Sequence, residues 1–158
     1  MFQNKRKYTL SESIEKIKGY CALQERSHKQ VRQKLQQWGC YQDQTEAIIT
    51  ELIIQNYLSE DRFAEAIVLG KSRMKGWGRK KIEQWLKREG VSTYSIQMAF
   101  KELDEDEYYQ KCLHVATKKN AIITAKSPFE HKTKLLRFLY QKGYEMELIN
   151  TVLDEILE

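Results

Sequence analysis

Basic side chains crowd one short stretch of the sequence, "KSRMKGWGRKKIEQWLKREG" at residues 71–90. Its first eleven positions hold six cations and no acid: Lys71, Arg73, Lys75, Arg79, Lys80 and Lys81. Ammonium and guanidinium groups bind phosphates and carboxylates, so the stretch could grip a nucleic acid or an acidic protein surface. Trp77, which lies between two glycines, could stack on a base, anchor a protein interface or fill a gap between helices. Ordinary solvation of a charged helix face is the remaining alternative.

From Arg79 to Glu89 the stretch has the periodicity of an amphipathic helix. At 100° per residue, one face consists of Ile82, Trp85, Leu86 and Glu89. The opposite half consists of Lys80, Lys81, Lys87 and Arg88. We predict that the apolar face packs in the core and that the basic half meets a partner.

The elements that position this stretch occur three times along the chain. Two apolar residues four apart, followed four residues later by glycine, appear as "VRQKLQQWG", "IEQWLKREG" and "LLRFLYQKG". The three glycines lie 51 and 53 residues apart. A glycine in this place can adopt the left-handed conformation that ends a helix. The recurrence therefore predicts a repeated helical module of about fifty residues.

Two further helices complete each module, one on either side of the glycine-terminated helix. Ser27, Ser59 and Ser127 are placed to cap helices, and Pro128 suits a first helical position. The first helix of each module is marked by Ile14, Ile17 and Cys21, by Phe63, Ala66, Ile67 and Gly70, and by Tyr109, Leu113 and Ala116. The β-branched run at 47–50 is predicted as helix, and the run at 120–125 as a loop or helix end.

The predicted fold is therefore all-α, with three tandem three-helix repeats that resemble helix-turn-helix units. We expect a basic N-terminal tail at 1–10 and repeats at 11–58, 59–103 and 104–158. Units of this size bury little surface alone, so they should pack in a row that forms an elongated, curved molecule. Such a shape favours extended recognition over a deep pocket.

The net charge of +5 is distributed unevenly. The first 103 residues carry +7, whereas the remaining 55 carry −2. This asymmetry indicates a basic face for a polyanion or an acidic protein. In the first repeat, the positions that match the basic stretch hold Arg26, Lys29, Arg32 and Lys34. We expect the first two repeats to present one continuous basic strip.

Residues arranged for catalysis are absent from the sequence. It contains no phosphate loop, no H-E-x-x-H and no G-x-S-x-G motif. The acidic run at 104–107 suits the start of a helix, where carboxylates stabilise the helix dipole. Three separated cysteines and three histidines match no metal-ligand spacing. We expect no enzyme, no metal and no cofactor, and, because no apolar signal or spanning segment exists, a cytoplasmic protein.

Residues 57–100 resemble the central signature of the RecX family, bacterial regulators of the RecA recombinase. The matching features are the acidic pair before Arg62-Phe63-Ala64, the Gly76-Trp77-Gly78 turn, Ile82 with Leu86, and Gly90-Val91. Weaker matches are Arg26-Ser27 and Lys34-Leu35 in the first repeat, and Lys134-Leu135, Phe138-Leu139 and Lys142-Gly143-Tyr144 in the third. The chain departs from the family pattern at Glu60, where Asp is usual, at Lys142-Gly143-Tyr144, where Arg-Gly-Phe is usual, and near Gln24, where a basic residue is usual.

The resemblance implies a protein that lies in the groove of the filament that RecA forms on single-stranded DNA and spans neighbouring protomers. There it would block filament growth or promote disassembly of the filament, and strand exchange, ATP hydrolysis and co-protease activity would fall during recombination and SOS repair. We expect the protein itself to be a monomer. The residues predicted to contact the partner are Arg26, Lys29, Arg32, Lys71, Arg73, Lys75, Trp77, Arg79, Lys80, Lys81, Lys87 and Arg88.

The alternative is a helical repeat protein that binds nucleic acid directly and without sequence preference. Such a protein would need no recombinase, and its affinity would fall steeply with salt. The helices after each glycine are too acidic and apolar to read a major groove, so sequence-specific DNA recognition is not expected.

Overall fold

The computed structural model describes residues 6–157, which form nine α-helices and no strand. The predicted all-α class is confirmed. The helices are α1 Leu10–Leu23, α2 His28–Gln37, α3 Gln42–Ile54, α4 Glu60–Lys75, α5 Arg79–Arg88, α6 Thr93–Phe100, α7 Glu105–Ile122, α8 Pro128–Gln141 and α9 Met146–Ile156. Among these helices, none is both long enough and apolar enough to cross a bilayer.

Helix ends lie where the capping residues predicted them. The hydroxyls of Ser27, Ser59 and Ser127 each accept a hydrogen bond from the backbone amide three residues later. Gly39, Gly90 and Gly143 have φ angles of 85°, 79° and 97°, the left-handed conformation that ends α2, α5 and α8. The run at 47–50 lies inside α3, and the run at 120–125 contains the end of α7, as predicted.

The buried faces of α4 and α7 differ from the predicted ones. Ala66 is exposed and Tyr109 is half-buried, whereas Ala64 and Tyr108 are buried. Periodicity cannot choose between adjacent tyrosines. Burial of Tyr108 leaves no oxygen unpaired, because its hydroxyl accepts a hydrogen bond from the Arg79 amide and donates one to Glu145. The core face of α7 is completed by Cys112 and Ala116.

The N-terminal residues before α1 contact the first repeat. The Lys7 amide donates to the Trp38 carbonyl at 2.9 Å, and the rings of Tyr8 and Trp38 meet edge to face with centroids 5.6 Å apart. Thr9 caps α1. Residues 1–5 of the predicted tail lie outside the described residues.

The hydrophobic core of the described chain is divided into two clusters. One lies within α1–α3 and contains Ile17, Val31, Leu35 and Leu52. The other is shared by α4–α9 and contains residues of both later repeats, including Phe63, Ile82, Leu86, Tyr108, Leu139 and Tyr144. The second and third repeats therefore form one packed body.

Polar contacts join the first repeat to this body. Ser27 Oγ donates to Glu89 Oε2 at 2.9 Å, and Lys29 Nζ donates to the Arg88 carbonyl at 2.9 Å. Arg62 Nε donates to Glu25 Oε1, also at 2.9 Å. Partly exposed polar contacts contribute less to stability than a shared apolar core. The junction between the first and second repeats is therefore weaker than the junction between the second and third.

The shared core predicts that alkaline pH destabilises the later repeats. Burial raises the pKa of Cys112 to about 12, against an ordinary value of 9.0. The folded thiol keeps its proton where the unfolded thiol has lost it, so the free energy of unfolding falls as pH rises through this interval, by about 4 kcal/mol at most. Urea unfolding between pH 8 and pH 11 should show this fall, and Cys112→Ala should make it shallower. If the free energy of unfolding fell equally with pH in the wild type and in Cys112→Ala, the thiol of Cys112 would not be the cause.

Candidate partner-binding groove

The turn at residues 76–78 touches the third repeat backbone to backbone. The Gly78 amide donates to the Lys142 carbonyl at 2.8 Å, and the Lys80 amide donates to the Gly143 carbonyl at 3.0 Å. A Cβ on Gly78 would lie only 2.2 Å from the carbonyl carbon of Gly143. Position 78 therefore requires glycine, because the second and third repeats leave no room for a side chain there.

A polar cluster supports the same junction. The Arg79 amide donates to Tyr108 Oη at 2.9 Å, and that hydroxyl donates to Glu145 Oε2 at 2.7 Å. The Arg79 guanidinium lies 4.1 Å from the centre of the Tyr108 ring and pairs with Glu105 and Glu145. The side chain of Arg79, a predicted partner contact, is thus bound within the protein.

A groove opens beside this junction, between α5 and the end of α8. Its volume is about 320 Å³. Its lining residues are Trp77, Lys80, Lys81, Gln84, Trp85, Arg88, Tyr140, Gln141 and Gly143. The groove therefore combines three aromatic rings with three cationic side chains.

Trp77 positions ammonium groups at this groove. Lys71 Nζ lies 4.9 Å from the centre of the Trp77 ring and 5.3 Å from that of Trp85. Lys81 Nζ lies 4.5 Å from the centre of the Trp77 ring. Such contacts hold a cation over an aromatic face without neutralising it. Trp77 itself is half-buried and packs against the shared core, so it fills a gap between helices and also holds the lysines.

Three of the predicted contact residues pair with carboxylates elsewhere on the surface. Arg32 binds Glu46 through two nitrogens at 2.7 and 3.2 Å, and Arg73 binds Glu107 in the same way at 2.6 and 3.2 Å. Hydrogen bonds from these guanidinium groups lower the pKa of both carboxyl groups. Lys87 Nζ lies 2.9 Å from Glu83 Oε1 on the same helix.

The basic residues of the first repeat are likewise engaged within the chain. The Arg26 guanidinium stacks on the Tyr20 ring at 3.7 Å and donates to the Tyr20 carbonyl. Lys29 donates to the Arg88 carbonyl, as described above. Five of the twelve predicted contact residues are cations that lie at or beside the groove and, within residues 6–157, have no carboxylate oxygen within 4 Å. They are Lys71, Lys75, Lys80, Lys81 and Arg88.

The sequence did not indicate two residues of the third repeat as candidates for the site: Tyr140, which lines the groove, and Lys142, which follows the lining residue Gln141. Lys142 Nζ donates to the Lys75 carbonyl at 3.2 Å. Partial burial, together with the charges of Lys81, Lys111 and Lys75, lowers the pKa of Lys142. The repeat pattern places both residues near the end of α8 but contains no signal that this end meets α5.

The fold and the groove define an all-α helical repeat protein with a basic, aromatic groove at the junction of its last two repeats. Sequence models of the second and third three-helix domains of RecX match residues 59–99 and 105–153, together more than half of the chain. The chain belongs to the RecX family of regulatory proteins. The assignment made from the sequence is confirmed.

Individual relatives agree with the family models. Regulatory protein RecX of Clostridium perfringens is 30% identical over 129 residues, which cover 80% of this chain and 60% of that protein. Regulatory protein RecX of Prosthecochloris aestuarii is 29% identical over 140 residues, which cover 88% of this chain and 89% of that protein. The crystal structure of RecX from Lactobacillus salivarius has the same fold, with a TM-score of 0.82 over 93% of this chain and 96% of that one, at 22% identity.

Proposed function

We propose that this protein binds filaments of RecA on single-stranded DNA and inhibits their growth. Strand exchange, ATP hydrolysis and co-protease activity of the filament would fall as a consequence, in recombination and SOS repair. Membership of a family of regulatory proteins supports a regulatory role. The observation that carries the proposal is the α5–α8 groove, whose cations are left without carboxylate partners among the described residues.

The groove suits a partner with a negatively charged surface. Its unneutralised cations would speed the encounter and set the orientation of binding. The half-buried rings of Trp77 and Trp85 and the exposed ring of Tyr140 would supply apolar anchors, which carry most of the affinity of interfaces. The protein would act by occupying the filament, without a chemical step of its own. We also propose the division into repeats at 11–58, 59–103 and 104–158 as its domain organisation.

Inhibition of ATP hydrolysis tests the proposal directly. Purified protein is added, below one copy per recombinase subunit, to RecA assembled on single-stranded DNA. We expect the rate of ATP hydrolysis to fall with time as filaments stop growing. A rate unchanged by the protein at every tested ratio would refute the proposed function.

Charge reversal in the groove should weaken this inhibition. Lys80 and Arg88 are exposed and have no carboxylate partner among the described residues, so Lys80→Glu with Arg88→Glu should leave the helices intact. We expect the concentration for half-inhibition to rise at least about tenfold, equivalent to about 1.4 kcal/mol of binding free energy. The matched control, Lys101→Glu with Lys118→Glu, makes the same charge change at exposed sites away from the groove. Equal losses in both variants would show a general charge effect instead.

A further inference from the structure

We infer that the α5–α8 groove binds single-stranded nucleic acid directly, with phosphates on its lysines and a base against Tyr140. This inference deepens the proposed function and rests on it for its ligand, which would be the DNA strand inside the filament. It assigns the groove to the nucleic acid component of the filament and leaves other surfaces for the recombinase.

The cations of the groove continue past its edge as a connected group. Lys142 Nζ donates to the carbonyl of Lys75 at 3.2 Å. The Cε atom of Lys111 lies 3.7 Å from the point that a Cβ on Gly76 would occupy. These three lysines, like Lys80 and Lys81, have no carboxylate oxygen within 4 Å in the described part of the chain. Ammonium groups gathered in this way repel one another, and phosphate groups would relieve that repulsion.

The aromatic rings favour nucleic acid over an acidic peptide. Tyr140 is 53% exposed at the rim of the groove, and Lys80 Nζ lies 5.8 Å from the centre of its ring. A base can stack on this ring while the adjacent phosphate meets the lysine, which is the arrangement that sequence-independent strand binders use. An acidic peptide would need two different side chains to meet the ring and the ammonium group, whereas one nucleotide supplies both a flat aromatic base and an anion.

The size of the groove favours a single strand over a duplex. A volume of about 320 Å³ is at the lower end of the range for small-molecule pockets, so it suits one nucleotide. Tyr140 can stack only on a base that is not already stacked and paired within a helix.

A short oligothymidylate, without any recombinase, tests the inference. Fluorescence anisotropy of the labelled oligonucleotide gives the dissociation constant at low and moderate salt. We expect the wild-type protein to bind, Tyr140→Ala to bind about tenfold more weakly, and Tyr140→Phe to bind as the wild type does, because the ring is retained. The matched control is Tyr94→Ala, since Tyr94 is 70% exposed on α6 and does not line the groove.

Three results would overturn the inference. They are the absence of oligonucleotide binding, equal weakening by Tyr140→Ala and Tyr94→Ala, and equal affinity for a duplex of the same length. In each case inhibition of ATP hydrolysis by the wild-type protein would still support the proposed function, with the groove contacting protein. Conversely, oligonucleotide binding that depends on Tyr140, without any effect on ATP hydrolysis, would support the inference and refute the proposed function.

Discussion

Replacing Gly78 with alanine is expected to destabilise the second and third repeats by about 3 kcal/mol. The added Cβ would lie 2.2 Å from Gly143 C, 2.3 Å from Tyr144 N and 2.4 Å from Gly143 O. These are backbone atoms, which cannot rotate away as the end of a flexible side chain can. The turn at 76–78 would have to separate from the third repeat, and the hydrogen bond from the Gly78 amide to the Lys142 carbonyl would break.

Gly70→Ala is the matched control for this substitution. Gly70 lies inside α4, and no atom outside its own helix lies within 4 Å of the position of an added Cβ. Alanine is favoured over glycine in a helix, so this variant should gain about 0.5–1 kcal/mol. Urea unfolding of both variants measures the difference. Similar stabilities would show that the close contact between repeats does not exist in solution.

Alanine at Leu35 or Leu86 should destabilise two different parts of the molecule, each by about 2–5 kcal/mol. The two leucines occupy equivalent places, four residues before the glycine of their repeat, and both are fully buried. Leu35 belongs to the core of α1–α3, whereas Leu86 belongs to the core shared by α4–α9. Because local unfolding follows packed units, the effect of each should spread only through its own core.

Native-state hydrogen exchange measures this difference by position. Leu35→Ala should accelerate amide exchange within residues 10–54 and leave α4–α9 near the wild-type rates. Leu86→Ala should accelerate exchange through both later repeats and leave α1–α3 protected. Acceleration confined to the second repeat in Leu86→Ala would show that the later repeats do not form one packed body.

The positions of several helices could be predicted from short sequence patterns. Apolar pairs four apart and the glycines at 39, 90 and 143 located α2, α5 and α8, because helix periodicity and left-handed helix ends depend on neighbouring residues alone. The capping residues Ser27, Ser59 and Ser127 located the starts of α2, α4 and α8. The family signature lies in the same residues, so the fold class and the family were both predictable before any coordinates were known.

The α5–α8 groove could be predicted only in part. Lys80, Lys81 and Arg88 were found as the polar half of α5, since a helix has a fixed angular order. Sequence could not show that Arg32 and Arg73 have carboxylate partners, or that Arg79 supports a junction, because these partners lie on other elements that come close only through folding. Lys87 and Glu83 are four residues apart on α5, so this pair follows from helix geometry alone. Tyr140 could not be placed at the groove from the sequence either, because α8 and α5 come close only in the folded chain.

The order and ends of the helices therefore follow from interactions between residues close together in the chain. The docking of the third repeat on the second, the separate core of the first, and the surfaces that remain charged depend on contacts between residues distant in the sequence. Gly78 shows the distinction. Its place before α5 is visible as a helix start, but its lack of a side chain matters because another backbone lies 2.2 Å from where a Cβ would be.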